Sequence, residues 1–307
     1  MTSPHRILVT GARGFIGRLA LVPLQRLGFE VHAVSREPAN IHAGHAGDSP
    51  GVVWHEVDLL ESRESRALVE SIRPTHLLHF AWYAEHGLFW NSPCNLDWLS
   101  ATASLLKAFA ESGGKRFVGA GSCAEYMWDG RDFYAEDAPL RPSTLYGAAK
   151  ASAFLTGEAY AKTASLAFSW GRIFHLFGAG EFPNRIVPAL IRAHLRGESL
   201  DCSQGTQLRD FLPASAVAEA FARLCASEVQ GAVNMGSGQA TTLRELSEKI
   251  SLLTGRTGDI RFGAFQDSGP QRLLPRIDRL TREVGWHPPE SIDAGLAEAI
   301  DKWKSQM

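Results

Sequence analysis

Two side chains that can exchange a proton with a substrate lie four residues apart near the middle of the chain. Tyr146 and Lys150 stand in the sequence Leu145-Tyr146-Gly147-Ala148-Ala149-Lys150. On a helix, residues four apart share a face, so the ammonium lies beside the phenol and stabilises the phenolate. Moving a tyrosine pKa from ~10 toward 7 requires about 4 kcal/mol, which a partly desolvated cation can supply. The pair predicts a tyrosine that acts as a general acid or base at neutral pH.

A glycine-rich segment near the N-terminus predicts a phosphate-binding loop. Gly11-Ala12-Arg13-Gly14-Phe15-Ile16-Gly17 lies between a strand predicted over 6–10 and a helix predicted over 15–28, which is the context that a dinucleotide site requires. Gly11 permits the turn, Gly14 lets the backbone approach a pyrophosphate, and Gly17 lets helix and strand pack closely. The helix N-terminus offers free amides to the anion. We expect a dinucleotide to be bound by Gly11, Arg13, Gly14, Phe15, Ile16 and Gly17. A plain strand–helix turn is the alternative.

The end of the second predicted strand indicates which dinucleotide binds. Sites for NAD usually place a carboxylate there, against the ribose 2′-hydroxyl, whereas this chain has Ser35 and Arg36. Arg36 can hold a 2′-phosphate through charge-assisted hydrogen bonds, with Arg13 assisting, so NADP(H) is favoured. A solvated surface arginine is the alternative. Asp58 and Leu59, after the third strand, suit the adenine edge, although a plain turn aspartate explains Asp58 nearly as well.

The charge balance and the cysteines argue against several classes of function. The 307 residues include 31 basic and 33 acidic side chains, so the chain has no field that would attract a nucleic acid. Its four cysteines show no CxxC pair, and we interpret them as reduced thiols rather than disulfides or metal ligands. The sequence has no signal-peptide pattern and no uncharged apolar run of about 18 residues. We expect a cytoplasmic protein that binds no metal and does not span a membrane.

Alternating strand and helix patterns predict an α/β fold. Strands are predicted over 6–10, 30–34, 52–57, 76–81, 116–120, 165–175 and 231–235, an extended segment over 207–211, and helices over 15–28, 62–72, 96–112, 143–161, 183–196, 214–226, 241–254 and 291–304. The alternation favours a doubly wound parallel sheet with helices on both faces. The regular alternation of strands and helices ends after Gly178, which predicts a smaller, discontinuous C-terminal α/β substrate domain. We expect residues 1–177 plus 207–236 to bind the dinucleotide, and 178–206 plus 237–307 to form a substrate cap.

Further motifs extend along the whole chain. They are His79-Phe80-Ala81, Ser122 four residues before Tyr126, Pro139-Leu140-Arg141-Pro142, Arg172-Ile173-Phe174-His175-Leu176-Phe177-Gly178, Gln207-Leu208-Arg209-Asp210-Phe211 and Val284-Gly285-Trp286-His287-Pro288. With the glycine loop, Tyr146 and Lys150, they resemble the extended short-chain dehydrogenase/reductase family of nucleotide-sugar epimerases, dehydratases and reductases. The resemblance implies a Rossmann-like fold and an NAD(P)-dependent oxidoreductase.

The resemblance assigns roles to the matching residues. Ser122 would hydrogen-bond the reacting sugar oxygen, Tyr146 would be the acid and base, and Lys150 would hold the nicotinamide ribose and tune the tyrosine. Phe80 and Ala81 would contact the cofactor. The implied substrate-binding set is Ser122, His175, Asn184, Arg209 and Arg272.

Some of these matches have simpler explanations. Asn95 matches a position that supports the active site in the family, and a helix N-cap explains it equally well. Arg209 would face a nucleotide diphosphate, with an ion pair to Asp210 as the alternative. The aromatic segment 82–90 would lie over the substrate or form core packing. The helices over 96–110 and 146–161 would pair with a second copy in a homodimer, unless their apolar stripes face the core.

Departures from the family pattern narrow the expected reaction. The family's 4,6-dehydratases have an Asp-Glu pair directly after the active-site hydroxyl residue, whereas this chain has Cys123 and Ala124, with Glu125 one position late. A buried thiol and a methyl group cannot carry out that elimination. The chain looks most like nucleotide-sugar 4-ketoreductases of the abequose synthase type, which predicts NADPH-dependent reduction of a nucleotide-linked 4-keto-6-deoxy sugar. A nucleotide-sugar 4-epimerase using the same serine, tyrosine and lysine is the second hypothesis, and a non-catalytic dinucleotide sensor is the third.

Overall fold

The computed structural model describes residues 5–36, 50–266 and 269–306 and consists of alternating strands and helices. The strands are β1 (Arg6–Thr10), β2 (Glu30–Ser35), β3 (Val53–Glu56), β4 (His76–His79), β5 (Arg116–Ser122), β6 (Ala167–Ile173), β7 (His175–Phe177), β8 (Ser199–Cys202), β9 (Leu208–Arg209), β10 (Phe211–Pro213), β11 (Gly231–Met235), β12 (Thr241–Thr242), β13 (Asp259–Phe262) and β14 (Arg272–Leu273). The α-helices are α1 (Gly17–Arg26), α2 (Ser62–Ile72), α3 (Cys94–Glu111), α4 (Leu145–Thr163), α5 (Ile186–Arg196), α6 (Ala214–Ala226), α7 (Leu243–Thr254) and α8 (Asp293–Lys304).

The central sheet is the expected parallel, Rossmann-like sheet. Its seven strands run in the order β3-β2-β1-β4-β5-β6-β11, and every neighbouring pair is parallel. The strand order reverses between β1 and β4, so the loops that follow these two strands diverge and leave a crevice at the carboxyl edge of the sheet. Open α/β sheets bind their ligands at such a point.

Helices cover both faces of this sheet. On one face α1 and α6 pack together, and their side chains Leu21, Leu24, Val217 and Phe221 are fully buried with those of β1 and β11. On the other face α2, α3 and α4 form a layer over a second cluster of buried residues that includes Phe117, Phe154, Phe168 and Trp170. The doubly wound arrangement predicted from the sequence is therefore confirmed.

A smaller set of elements lies beyond the sheet. Strands β8 and β13 form a parallel pair, and α5, α7 and α8 pack around a third apolar cluster that includes Leu190, Ile250 and Leu296. Phe177 and Phe211 belong to the same cluster and tie it to the end of the central sheet. The predicted residue bounds of the two domains stay a prediction. No helix in the described ranges is long and apolar enough to cross a membrane.

Two details of this architecture differ from the sequence-based expectations. Strand β4 ends at His79 and not at Ala81: the Phe80 N–H still donates to the Thr10 carbonyl oxygen, whereas the Ala81 N–H donates to the Thr10 hydroxyl. The pairing of β8 with β13 was not predicted. Each of these strands has only four residues, and the two lie about sixty residues apart in the chain, so neither carried a local signal.

Candidate active site

The glycine loop folds into a tight turn at the crevice. Gly11 has a φ of 64°, and its carbonyl oxygen accepts a hydrogen bond from the Gly14 N–H at 2.8 Å. A Cβ atom on Gly17 would lie 2.2 Å from that same oxygen, and a Cβ on Gly11 would lie 2.7 Å from the Ala81 nitrogen. Both positions therefore require glycine, and the turn delivers α1 with its N-terminus facing the crevice.

The predicted cofactor residues converge on one cavity of about 330 Å³ beside this loop. It is lined by Gly11, Arg13, Gly14, Val34, Ser35, Arg36, Val57, Leu59, Ala81, Trp82 and Trp98. Seven of the predicted residues are among them, whereas Val34, Val57, Trp82 and Trp98 were not predicted. Glycines that exclude any side chain, free helix amides and apolar walls fit a dinucleotide.

The ribose end of the cavity has basic and neutral side chains. Ser35 ends β2, Arg36 is exposed just beyond it, and the Arg13 guanidinium lies 4.5 Å from the centre of the Trp54 ring. Within the described part of the chain, no carboxylate lines this cavity. This end of the cavity thus has one guanidinium group on an aromatic face and a second, exposed one.

Some predicted cofactor side chains point elsewhere. The Asp58 carboxylate accepts a hydrogen bond from the Leu60 N–H at 3.0 Å, as the turn alternative expects, and the adenine contact of its side chain stays a prediction. Phe80 packs edge-on against Phe221, with ring centres 4.9 Å apart, on the helix-covered face of the sheet. Phe15 lies beneath the Arg18 guanidinium, and Ile16 packs against the core. The side chains of Phe80, Phe15 and Ile16 thus pack against protein groups, and their predicted contacts with the cofactor stay predictions.

Tyr146 lies against Ser122 because α4 begins beside the turn that follows β5. The Thr144 hydroxyl caps α4 by accepting from the Gly147 N–H at 3.1 Å, and a Cβ on Gly147 would lie 2.3 Å from the Ala124 carbonyl oxygen. This close approach lets the Ser122 hydroxyl hydrogen-bond the phenol of Tyr146. The structure thus brings the predicted serine and tyrosine together as a hydroxyl pair.

Lys150 is buried next to this pair, although its ammonium points away from the phenol. Its Nζ donates to the Ala120 carbonyl oxygen at 2.8 Å and lies 6.0 Å from the centre of the Tyr146 ring. Burial lowers the pKa of Lys150 to about 7, and the Glu125 carboxylate opposes that shift. Burial likewise raises the pKa of Tyr146, opposed by the hydrogen bond from Ser122. The pKa of Tyr146 is therefore raised in this conformation and not lowered as the sequence spacing predicted, because desolvation outweighs the opposing hydrogen bond from Ser122 and the charge of Arg185.

Glu125 is a structural residue that the sequence did not reveal. Its Oε1 accepts from the Ser122 N–H at 2.8 Å and from the Trp170 Nε1 at 2.9 Å, while its Oε2 accepts from the Arg172 Nε at 2.8 Å. Both the carboxylate and its arginine partner are fully buried. A carboxylate whose two oxygens are held in this way fixes the Ser122 turn and is not positioned to move substrate protons.

Cys123 occupies the position next to Ser122 without supplying an acid or a base. Burial raises the pKa of the Cys123 thiol to about 12, and the nearby Glu125 charge adds to the rise. The backbone here is fixed by the Trp128 indole, which donates to the Cys123 carbonyl oxygen at 3.0 Å. The thiol therefore stays neutral at physiological pH. This agrees with the expectation that the site lacks the acid–base pair of a dehydratase.

Two guanidinium groups converge on His175 at the substrate side. Burial lowers the pKa of His175 to about 3, and Arg209 and Arg185 both add to the shift. Arg185 also acts on Tyr146 and is held by an ion pair to the buried Glu181, with Nε 2.7 Å from Oε1. Arg185 was missed because its proximity to Tyr146 arises from the turn before α5 and has no local motif. His175 is neutral, and its buried Nδ1 has no hydrogen-bond partner among the described residues.

Arg209 and Arg272 lie on neighbouring strands of a small three-stranded sheet. Leu273 of β14 pairs with Arg209 of β9, and the exposed Arg272 forms an ion pair with Asp132 at 2.9 Å. Asp210 does not pair with Arg209: its carboxylate accepts from the Ser237 N–H at 2.8 Å and from the Ser237 hydroxyl at 3.0 Å, so that alternative is wrong. Asn184 is exposed in the turn before α5.

The aromatic segment lies against Tyr146, the tyrosine predicted to be catalytic. The Phe89 and Trp90 rings meet the Tyr146 ring edge-on, with centres 4.8 Å and 5.8 Å apart. Asn95 holds this segment: its Nδ2 donates to the Phe89 carbonyl oxygen at 2.7 Å, and its Oδ1 accepts from the Trp82 Nε1 at 2.9 Å. Asn95 lies within the first turn of α3 and its side chain does not cap the helix, so the N-cap alternative is wrong, while its role in supporting an active site stays a prediction.

Comparison with known proteins agrees with this geometry. The NAD dependent epimerase/dehydratase family matches residues 7–236. The chain is 26% identical to UDP-glucuronic acid decarboxylase 1 of Xenopus tropicalis, over 98% of this chain and 73% of the relative. It is also 26% identical to UDP-glucose 4-epimerase of Rhizobium meliloti (strain 1021), over 98% of each chain. Its fold resembles that of UDP-glucose 4-epimerase from Thermotoga maritima, with a TM-score of 0.88 and 21% identity over 98% of this chain and 99% of that one.

The relatives' names include an epimerase and a decarboxylase, so the relationship defines a class of enzyme without fixing the reaction. The family match spans the glycine loop, Ser122, Tyr146 and Lys150. Lys150 lies on the ring of Trp82, which lines the cavity beside the glycine loop. The chain belongs to the NAD dependent epimerase/dehydratase family and is an enzyme of the oxidoreductase type.

Proposed function

We propose that this enzyme uses NADPH to reduce the keto group of a nucleotide-linked 4-keto-6-deoxy sugar. The observation that carries the proposal is the ribose end of the cofactor cavity, where Ser35, Arg36 and Arg13 stand in place of a carboxylate. A 2′-phosphate fits these side chains. NADP(H) favours net reduction, because an epimerase regenerates its cofactor in each turnover and usually retains NAD.

The side chains around Ser122 define what the site does to a substrate. The nicotinamide supplies a hydride to the keto carbon when it is bound. The Ser122 hydroxyl holds the carbonyl oxygen, and Tyr146, whose pKa is raised by burial, is protonated at neutral pH and donates its proton to the developing alkoxide. Because Cys123 is neutral and Glu125 is fully engaged, the site has no second acid–base pair in position to eliminate water.

The arginines on the substrate side support a nucleotide-activated sugar. Arg209 and Arg185 both lie close enough to His175 to lower its pKa, and two guanidinium groups can grip a diphosphate in a bidentate manner. We infer that Arg209 binds the diphosphate and that Arg272, on the neighbouring strand, assists it. Free sugars should react poorly, since an anchored diphosphate supplies the binding energy that orients the carbonyl.

A nucleotide-sugar 4-epimerase is the second candidate. It is favoured by the name of the Rhizobium meliloti relative, which covers the same span of chain. The same Ser122, Tyr146 and Lys150 would serve an epimerase, so only the cofactor balance separates the two reactions.

Cofactor titration tests the proposal at its starting point. NADPH should bind at least tenfold more tightly than NADH, a difference of about 1.4 kcal/mol from one phosphate contact. Arg36→Ala should remove most of this preference, while Arg63→Ala, an exposed arginine on α2, should leave it intact. The measurement is quenching of protein fluorescence. Equal affinities for the two cofactors in the unmodified enzyme would overturn the NADP assignment.

We also propose that the enzyme is a cytoplasmic homodimer. Leu96 on α3 and Leu155 on α4 are 55% and 54% exposed, and these two helices pack side by side on the outer face of the sheet. Exposed leucines on adjacent helices suit a contact with the same face of a second copy.

A further inference from the structure

We propose that Trp82 is a positioning residue that holds the Lys150 ammonium at the edge of the cofactor cavity. The Lys150 Nζ lies 3.7 Å from the centre of the Trp82 ring, well within the range of a cation–π contact. The same indole lines the cofactor cavity together with Gly11 and Ala81. Trp82 therefore touches both the lysine and the space that a cofactor would fill. The inference rests on the proposed role of Lys150 in holding the cofactor.

Trp82 is held in this position from behind. Its Nε1 donates to the Asn95 Oδ1 at 2.9 Å, and the Asn95 Nδ2 is tied to the carbonyl oxygens of Phe89 at 2.7 Å and Ser92 at 2.9 Å. Asn95 is fully buried, so the indole has a fixed orientation. A ring fixed on its nitrogen side presents its face, the electron-rich part of the π system, to the ammonium.

The surroundings of Lys150 explain why it needs this contact. The residue is 3% exposed, and its one direct hydrogen bond goes to the Ala120 carbonyl oxygen. The titratable groups that face it are Glu125 after β5, His79 at the end of β4 and Tyr146 on its own helix. Burial lowers the pKa of His79 to about 3, with Lys150 adding to the shift, so His79 is neutral. Glu125, the Ala120 carbonyl and the Trp82 ring thus favour the ammonium form, and Trp82 is much nearer than the Trp170 and Tyr146 rings, whose centres lie 5.8 Å and 6.0 Å from Nζ.

The charge state of Lys150 can be measured directly, without an assay of enzyme activity. Lysine labelled at Cε and Nζ is introduced, the Lys150 resonance is assigned with Lys150→Met, and its pKa is measured by NMR titration. We expect a value near 7 in the unmodified enzyme. Trp82→Leu should lower it by about one pH unit, a tenfold loss of proton affinity, since leucine keeps the site apolar but offers no ring. Trp82→Phe should lie in between.

Trp90→Leu is the matched control, because Trp90 belongs to the same aromatic segment and contacts Tyr146 rather than Lys150. It should leave the Lys150 pKa unchanged. An unchanged or raised Lys150 pKa in Trp82→Leu would overturn the proposal, because loss of a ring that stabilises the ammonium has to lower this pKa. If Trp82→Leu does not fold, the same comparison is made with Trp82→Phe. An unchanged Lys150 pKa in Trp82→Phe would then overturn the proposal. If the enzyme shows no ketoreductase activity, the proposed function is wrong. The Lys150 titration tests the role of Trp82 independently of that result.

Discussion

At the scale of single residues, some members of the site can be recognised from sequence motifs. The roles of others depend on buried contacts that only the folded structure shows. The spacing of Tyr146 and Lys150 and the motif around Ser122 identify the side chains that we propose to be catalytic. In the structure the Ser122 hydroxyl meets the Tyr146 phenol, and Lys150 is buried beside them. Glu125 and Trp82 were not recognised because their roles come from contacts across the sheet. The direction of the Tyr146 pKa shift was also missed, since burial has no signature in spacing.

Tyr146→Phe tests the residue that donates the proton. The change removes the phenol oxygen but keeps the ring that packs against Phe89 and Trp90, so the fold and the cofactor cavity should be preserved. We expect turnover to fall roughly 10²–10⁴-fold, the usual contribution of one general acid, with NADPH affinity unchanged. Turnover is measured by NADPH absorbance and affinity by fluorescence. Near-normal turnover would show that another group supplies the proton.

At the scale of secondary-structure elements, local patterns predicted nearly every strand and helix of the central sheet. The predicted bounds of α2 and α6 are those observed, because capping residues and apolar periodicity are encoded locally. The carboxyl ends of β1, β4 and β5 carry the glycine loop, Ala81 and Ser122, so the strand order alone assembles the site. Short strand pairings such as that of β8 with β13 depend on packing between distant segments, so the sequence patterns did not predict them.

His79, the last residue of β4, should make the sheet sensitive to acid. Its ring nitrogens hydrogen-bond the Thr10 hydroxyl at 2.7 Å and the Thr102 hydroxyl at 2.9 Å, and burial lowers its pKa to about 3. An unfolded histidine titrates near 6.5. The stabilisation from keeping His79 neutral is therefore complete above about pH 6.5 and is lost as the pH falls toward 3, by about 1.4 kcal/mol per pH unit.

His79→Gln keeps hydrogen-bonding atoms at this position and removes the titration. Urea unfolding between about pH 6 and pH 4.5, below the pKa of an unfolded histidine, should therefore show a slope of stability against pH that is shallower by about 1.4 kcal/mol per pH unit in the variant. Identical slopes for His79→Gln and the unmodified enzyme would contradict this account of the buried ring.

At the scale of the whole molecule, the sequence predicted the class of enzyme, and the family match confirms it. The bounds of the two domains and the identity of the sugar depend on surfaces formed by distant segments, such as the Arg185 turn and the β9 strand that carries Arg209. No local pattern encodes their distances from Tyr146. The substrate class can therefore be inferred only from the side chains that the fold brings together at the site.

The proposed dimer gives a prediction at this scale. Leu155→Glu places a charge on the exposed face of α4 and should convert the dimer to a monomer, because an unpaired charge cannot be buried cheaply in an apolar contact. Leu252→Glu on α7, where the leucine is 82% exposed, should leave the mass unchanged. Light scattering at micromolar concentration measures both. A monomeric mass for the unmodified enzyme would remove the proposal.

The most direct test of the proposed reaction follows a label from the cofactor. NADPH carrying deuterium at the transferable position of nicotinamide C4 is mixed with a nucleotide 4-keto-6-deoxyhexose, and the product is analysed by mass spectrometry and NMR. We predict one deuterium on the new carbinol carbon and one NADP⁺ formed for each product molecule, with no reaction of ordinary nucleotide hexoses. Interconversion of ordinary nucleotide hexoses at C4, with the NADPH left unconsumed, would contradict the reductase and identify an epimerase.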